Sequence, residues 1–377
     1  MKTMGGPTTG IVYDPAAKTH RTGLWHPESP ERCDAVMGAL AAPAIRERTV
    51  DVPSRAATES EILLCHTPGY IERARRDIAS GAPMLSTGDT DICRESWTAA
   101  LCAAGSVLSA VDAVIDGKVA NAFCVVRPPG HHACPARGMG FCVFNNVAIG
   151  ARYAQTSRGV GKVLIADWDV HHGNGTQEAF YEDGSVFFFS AHQSPLYPGT
   201  GASDETGSGA GRGTTMNCPF PAGADGEDIV GAFRDRLLPA ASRFKPDLVM
   251  VSAGFDSRLG DPLGGFRLTD DDFAELTSIV LEIARDNARG RLVSVLEGGY
   301  ALDGLGAAAA AHVERLAAPQ PPPRSSRVRS EPRSQDLCGH DRREWRRGPL
   351  GSRTQGANGG PMRLFRDSLP GGNREMS

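Results

Sequence analysis

Short apolar runs, each followed by polar and glycine-rich residues, constrain this chain more than any other feature. They fall at Ala122–Arg127, Lys162–Ala166, Val186–Ser190, Asp247–Ser252 and Arg291–Leu296. Ala-rich or amphipathic stretches lie between them at Ser96–Ile115, Asn146–Thr156, Asp225–Phe244 and Asp270–Ala288, and Gly304–Leu316 follows the last run. Strands alternating with helices at this spacing predict a three-layer αβα domain with a mostly parallel central sheet. In such sheets ligands bind at the carboxyl ends of the strands. The polar chemistry gathers there: His131 and His132, then Asp167 to His172, then Asp256, then Tyr300.

Composition bounds the remaining possibilities. Apolar residues make up 40% and charged residues 22% of the 377, as in a globular protein. The longest apolar run reads as too short to span a bilayer, and residues 1–10 lack the basic and apolar regions of a secretory leader. The nine cysteines have no paired spacing, which suits reduced thiols in a cytoplasmic protein rather than a disulfide framework. The net charge of -4 is uneven: from Pro319 onward there are 12 Arg, no Lys and 6 acidic residues. The body is therefore acidic, which argues against nucleic-acid binding by it. Residues 1–318 are expected to form one catalytic domain. Residues 319–377, opening on a proline run and rich in Arg, Ser, Gly and Pro, are expected to be a disordered tail.

Three segments carry candidate chemistry. Asp167-Trp168-Asp169-Val170-His171 follows a strand, so alternation points Asp167, Asp169 and His171 one way. Two hard oxygens and an imidazole suit zinc or ferrous iron, and Asp256, just past another strand, is the natural further ligand. Arg127-Pro128-Pro129-Gly130-His131-His132 is a rigid loop presenting adjacent imidazoles. Histidine suits proton transfer near neutral pH, and neighbours pointing apart are unsuited to sharing one ion. In Glu297-Gly298-Gly299-Tyr300, the glycines allow a mobile backbone before a tyrosine that can donate to an oxyanion.

These segments resemble the zinc-dependent histone deacetylases and acetylpolyamine amidohydrolases, which share the arginase–deacetylase fold. The likeness also includes His26-Pro27-Glu28-Ser29-Pro30-Glu31-Arg32, His66-Thr67-Pro68-Gly69-Tyr70, Gly138-Met139-Gly140-Phe141-Cys142, Tyr197-Pro198-Gly199-Thr200-Gly201 and Gly260-Asp261-Pro262-Leu263-Gly264-Gly265. Asn174 and the Glu-Gly-Gly-Tyr form look more like the class II branch. The resemblance implies one catalytic Zn2+ on Asp169, His171 and Asp256, with His131 held by Asp167 and His132 against Asn174. It implies that Tyr300 polarises the scissile carbonyl and that Gly140, Phe141 and Tyr197 line a narrow substrate channel. A structural K+ near Asp167 is implied as well, using main-chain oxygens of Asp169, His171 and Ala191 and the Ser190 side chain.

The expected activity is removal of an acetyl or other acyl group from an amine. The metal would polarise the amide oxygen and lower the pKa of a water towards ~7, while His132 moves the proton. Acetyl-lysine on a protein or peptide, an acetylated polyamine and a small acylated metabolite all fit such a channel. Two other readings compete. A binuclear ureohydrolase of the arginase type needs a second carboxylate ligand two residues after Asp256, where Arg258 stands. An inactive module binding acetylated ligands would not be expected to retain the zinc ligands, both histidines and Tyr300.

Overall fold

The computed structural model describes residues 8–321. Its middle layer is an eight-stranded sheet, parallel throughout, of β1 (Thr9–Tyr13), β2 (Thr49–Asp51), β3 (Asn121–Val125), β4 (Val163–Asp167), β5 (Val186–Gln193), β6 (Thr215–Phe220), β7 (Leu248–Ala253) and β8 (Leu292–Leu296). The strand order is β2-β1-β3-β8-β7-β4-β5-β6. Helices Glu31–Leu40, Asp270–Asn287 and Leu302–Leu316 pack one face, and Ser96–Ile115 and Asn146–Arg158 the other. This is the expected αβα architecture. The expected tail, from residue 322 onward, lies outside the described residues.

Strands covered on both faces read as unbroken apolar runs, which is why β3, β4, β5, β7 and β8 stand out in the sequence. β2 and β6 do not, because each lies at a sheet edge and is only partly covered. β6 even contains Pro219, tolerable where one side of the strand needs no partner. The Asp225–Phe244 stretch is continuous but contains one wider, underwound turn. Leu238 N–H donates five residues back to Phe233, and Pro239, which has no N–H, opens the next turn. One expectation fails: Ser96–Ile115 is a 20-residue helix apolar enough, by length and composition, to cross a membrane. Most of it is buried here, against the sheet and Asn146–Arg158. Its alanines and valines serve as core.

The four central strands, β3, β8, β7 and β4, end in the loops bearing the histidine pair, Tyr300, Asp256 and Asp167–His172. Beneath these loops lies a fully buried ion cluster. Glu28 accepts from Arg127 Nη2 (2.7 Å), Arg127 Nε and Arg32 Nη1 (3.0 Å). Burial opposes charge on Glu28, but the two guanidiniums outweigh it and hold the carboxyl well below its usual range. Arg32 also donates to the main-chain oxygens of Gly299 and Glu297, so the cluster ties the loop after β3 to the loop after β8. Removing one member of a buried pair typically costs about 3–5 kcal/mol, because the other charge is stranded.

His312 gives this core a pH signature. Its Nδ1 lies 2.6 Å from Thr277 Oγ1 and its Nε2 2.9 Å from Ser294 Oγ, in a pocket of Phe123, Trp168 and Phe255. Burial pushes its pKa down to about 3. Between the ordinary imidazole value and about 3, the unfolded chain binds a proton that the native state refuses. Stability contributed by neutral His312 is thus complete above that window and lost as pH falls through it. In urea titrations, His312→Asn is expected to flatten the pH dependence of unfolding free energy there, by up to about 1.4 kcal/mol per pH unit. A variant slope equal to wild type would contradict this.

Candidate active site and metal centre

The histidine loop is held from below. Gly130 and His131 N–H groups donate to Glu297 Oε2 (2.6 and 3.1 Å), and Ser252 Oγ donates to Glu297 Oε1 (3.1 Å). Asn146 Nδ2 donates to Pro128 O at 3.0 Å. Thus fixed, the two imidazoles face each other with centroids 4.1 Å apart, yet have different partners. His131 Nδ1 lies 3.0 Å from Asp167 Oδ2, and His132 Nδ1 lies 2.8 Å from Asn174 Oδ1.

These partners set the proton positions. Asn174 Nδ2 faces three acceptors: His132 O, Cys134 Sγ and Met139 Sδ. Its Oδ1 must therefore accept, so His132 Nδ1 carries the hydrogen and its Nε2 carries the lone pair. Burial, reinforced by the charges of His131 and His171, keeps His132 well below the ordinary imidazole value. Burial also opposes charge on His131, but there Asp169 and Asp167 outweigh it and hold the ring well above that value. Adjacent residues are thus prepared as a neutral base and a cation.

Beside them, Asp169, His171 and Asp256 are buried with ligand atoms all within 4.8 Å of one another. His171 Nδ1 lies 3.1 Å from both Asp169 Oδ1 and Asp256 Oδ2. The backbone aims the carboxylates: Gly298 N donates to Asp169 Oδ2 (2.8 Å) and Val170 N to Asp256 Oδ1 (2.9 Å). Burial and the neighbouring Asp169 charge push Asp256 up to about 7, a repulsion that a divalent cation would relieve. Two oxygens and a nitrogen fit zinc or ferrous iron. The cradle admits no side chain at Gly298, where a Cβ would meet Asp256 Oδ2 at 2.1 Å and Asp169 Oδ2 at 2.6 Å.

Asp167 departs from the alternation argument. The chain leaves extended conformation after β4, with Asp169 N donating to Asp167 Oδ1 (3.1 Å) and His171 N to Asp169 Oδ1 (2.9 Å). These turns separate Asp167 from the ligand cluster and leave it to His131, the arrangement that the family resemblance implies. Ser190 Oγ lies 2.9 Å from His192 Nδ1 in the same buried layer.

The remaining candidates flank this centre. Tyr197 packs edge-on against His132 at 5.2 Å and His171 at 6.3 Å, while Phe141 packs against Tyr300 at 6.0 Å. Gly140, at φ 56°, abuts His132 so closely that a Cβ would sit 2.3 Å from its ring. Burial, then Asp256, raises Tyr300 well above the ordinary phenol value, so its hydroxyl remains a donor. The glycine pair before it, expected to be mobile, is bonded on both sides: Gly298 to Asp169, and Gly299 O to Arg32.

Sequence reasoning assigned no role here to Glu297, Glu28, Arg32 or Arg127, although all four lie inside quoted motifs. Asp261 accepts from Leu263 N (3.0 Å) within its own turn, and its Oδ2 also holds Tyr300 N (2.6 Å) and Ala301 N (3.1 Å). Asp89 and Asp91 bond inside the protein: Asp89 Oδ1 accepts from Gly140 N and the Tyr197 hydroxyl, and Asp91 Oδ2 from Gly23 N. Arg258 pairs with Asp270, Nε to Oδ1 at 2.7 Å, consistent with no second metal ligand at that position.

Residues 26–316 match the model of the histone deacetylase domain. The chain is 39% identical over 301 residues to "Histone deacetylase 10, chloroplastic" of rice, covering 76% of this chain and 68% of that protein. It is 39% identical over 298 residues to a "Probable deacetylase" of Archaeoglobus fulgidus, covering 78% and 82%. Against the human "Polyamine deacetylase HDAC10" it is 40% identical over 333 residues, covering 84% of this chain and 49% of that one. The crystal structure of the HDA15 HD domain superposes with a TM-score of 0.78 at 37% identity, covering 82% and 90%.

The tightness of the metal cradle is testable. Gly298→Ala is expected to displace the Asp169 and Asp256 carboxylates and lower bound zinc well below one equivalent, with the circular dichroism of the fold retained. Full zinc occupancy in the variant would mean that the carboxylates are not held against that backbone.

Proposed function

The chain belongs to the histone deacetylase family, and on that premise we propose that it is a metal-dependent amidohydrolase that removes an acetyl group from a primary amine such as acetyl-lysine or an acetylated polyamine. The observation that carries this reading is the pair of unequal histidines beside a three-ligand cluster. Asp169, His171 and Asp256 would hold a single Zn2+, which when bound supplies Lewis acidity toward the amide oxygen and lowers the pKa of water.

The residues of the chain do the rest. His132 Nε2 takes a proton from the water that attacks the acetyl carbon and returns it to the departing amine nitrogen. His131, kept charged by Asp167 and Asp169, offsets negative charge as it develops. The Tyr300 hydroxyl donates to the carbonyl oxygen while it becomes an oxyanion. Gly140, Phe141 and Tyr197 would line the path of the aliphatic chain and exclude water from it. Glu297 and Asp261 position the histidine loop and the tyrosine through their backbone N–H groups. A K+ beside Asp167 and Ser190 belongs to the same reading, as a structural ion. Every described cysteine is free, which suits a reducing compartment such as the cytoplasm.

Acetate release from an acetyl-lysine peptide and from acetylputrescine tests the activity. Tyr300→Phe removes one oxyanion donor and no metal ligand, so kcat is expected to fall ~10²–10³-fold at unchanged zinc content. Wild-type turnover in that variant would reduce Tyr300 to a wall of the channel.

A further inference from the structure

The two most exposed large apolar side chains among the described residues are consecutive: Leu24 at 95% and Trp25 at 98%. They form the corner of a tight turn in which His26 N–H donates to Gly23 O at 3.1 Å. Local folding does not account for this choice. Turn corners favour Gly, Asn, Asp and Pro, and Trp25 lies at φ 65°, where a bulky residue is strained. Strain retained in this way points to function.

The turn is tied down on its N-terminal side and packs against the candidate site on the other. Gly23 N donates to Asp91 Oδ2 at 3.1 Å, and Thr22 Oγ1 donates to Glu28 O at 2.7 Å. On the other side, His26 packs edge-on against Phe141 at 4.6 Å. Phe141 is itself at φ 66° and packs against Tyr300. The exposed pair therefore adjoins one wall of the channel, and Tyr197, 37% exposed, stands on the other. An apolar surface continuous with a binding cleft marks contact with what enters that cleft.

We propose that Leu24 and Trp25 form an apolar ledge at the channel mouth that receives an apolar residue next to the acetylated lysine of a peptide substrate. This rests on the deacetylase reading and names the substrate class for it. An apolar ledge offers a polycationic amine no partner, whereas a peptide carries side chains beside its acetylated lysine that can cover it. Exposed Arg21 stands beside the turn, while Asp89 accepts from Gly140 N and the Tyr197 hydroxyl and Asp91 from Gly23 N. A flanking Leu or Phe side chain would cover the indole, and burial of that size is worth ~10-fold in kcat/KM.

The experiment compares kcat/KM on acetyl-lysine peptides flanked by Leu, Phe or Gly, and on acetylspermidine, for wild type, Trp25→Ala and Trp25→Gly. The wild type is expected to prefer apolar over glycine flanks by ~10-fold or more, mainly through KM. In both variants that ratio should fall towards one. Trp25→Gly, relieved at positive φ, should melt no lower than wild type, which separates loss of the ledge from loss of the fold. A flat flank preference in wild type, an unchanged preference in the variants, or acetylspermidine as the best substrate would each overturn the ledge while leaving the deacetylase reading intact. No turnover of any acetylated amine would overturn both.

Discussion

Carboxylates buried together at the ends of the central strands are the constraint on which the rest of the structure depends. Asp167, Asp169, Asp256, Glu297 and Glu28 are all inaccessible to solvent. Each would be costly to bury unless paired or hydrogen-bonded. Each has a distinct solution: Glu28 two guanidiniums, Asp167 an imidazolium, Glu297 two backbone N–H groups and a serine, and Asp169 and Asp256 one another's company around His171. The last sets two carboxylates against a single imidazole, and its donor set suits a divalent cation.

The parallel sheet makes this clustering possible. With β3, β8, β7 and β4 adjacent, four loops remote in sequence converge over a few ångströms. The ion cluster of Glu28, Arg32 and Arg127 then ties the first of those loops to the last. The site is therefore assembled from rigid strand ends braced by buried charge, which keeps reorganisation during reaction small.

Most of the chemistry was legible because it is local. Asp169 and His171 lie two apart, His131 and His132 are adjacent, and the strands before them are unbroken apolar runs. Strands β1, β2 and β6 were not read because short or edge strands leave a weak pattern. The role of Asp167 was misread from alternation alone, since the chain stops being extended at that residue. Glu297, Asp261 and Asp89 were missed for another reason: each acts on the backbone of a residue distant in sequence, a relation with no local signature. The family resemblance assigned Asp167 to His131, and the 3.0 Å contact agrees with it.

A neutral imidazole beside a charged one, over the buried Asp169, His171 and Asp256 cluster, is an arrangement that suits one divalent cation. Stepwise addition of zinc to metal-stripped protein, with acetate release from an acetyl-lysine peptide followed at each step, tests that claim most directly. Activity should rise linearly and level off at one equivalent per chain. A plateau that requires two equivalents, or full activity with a chelator present and no metal bound, would contradict it.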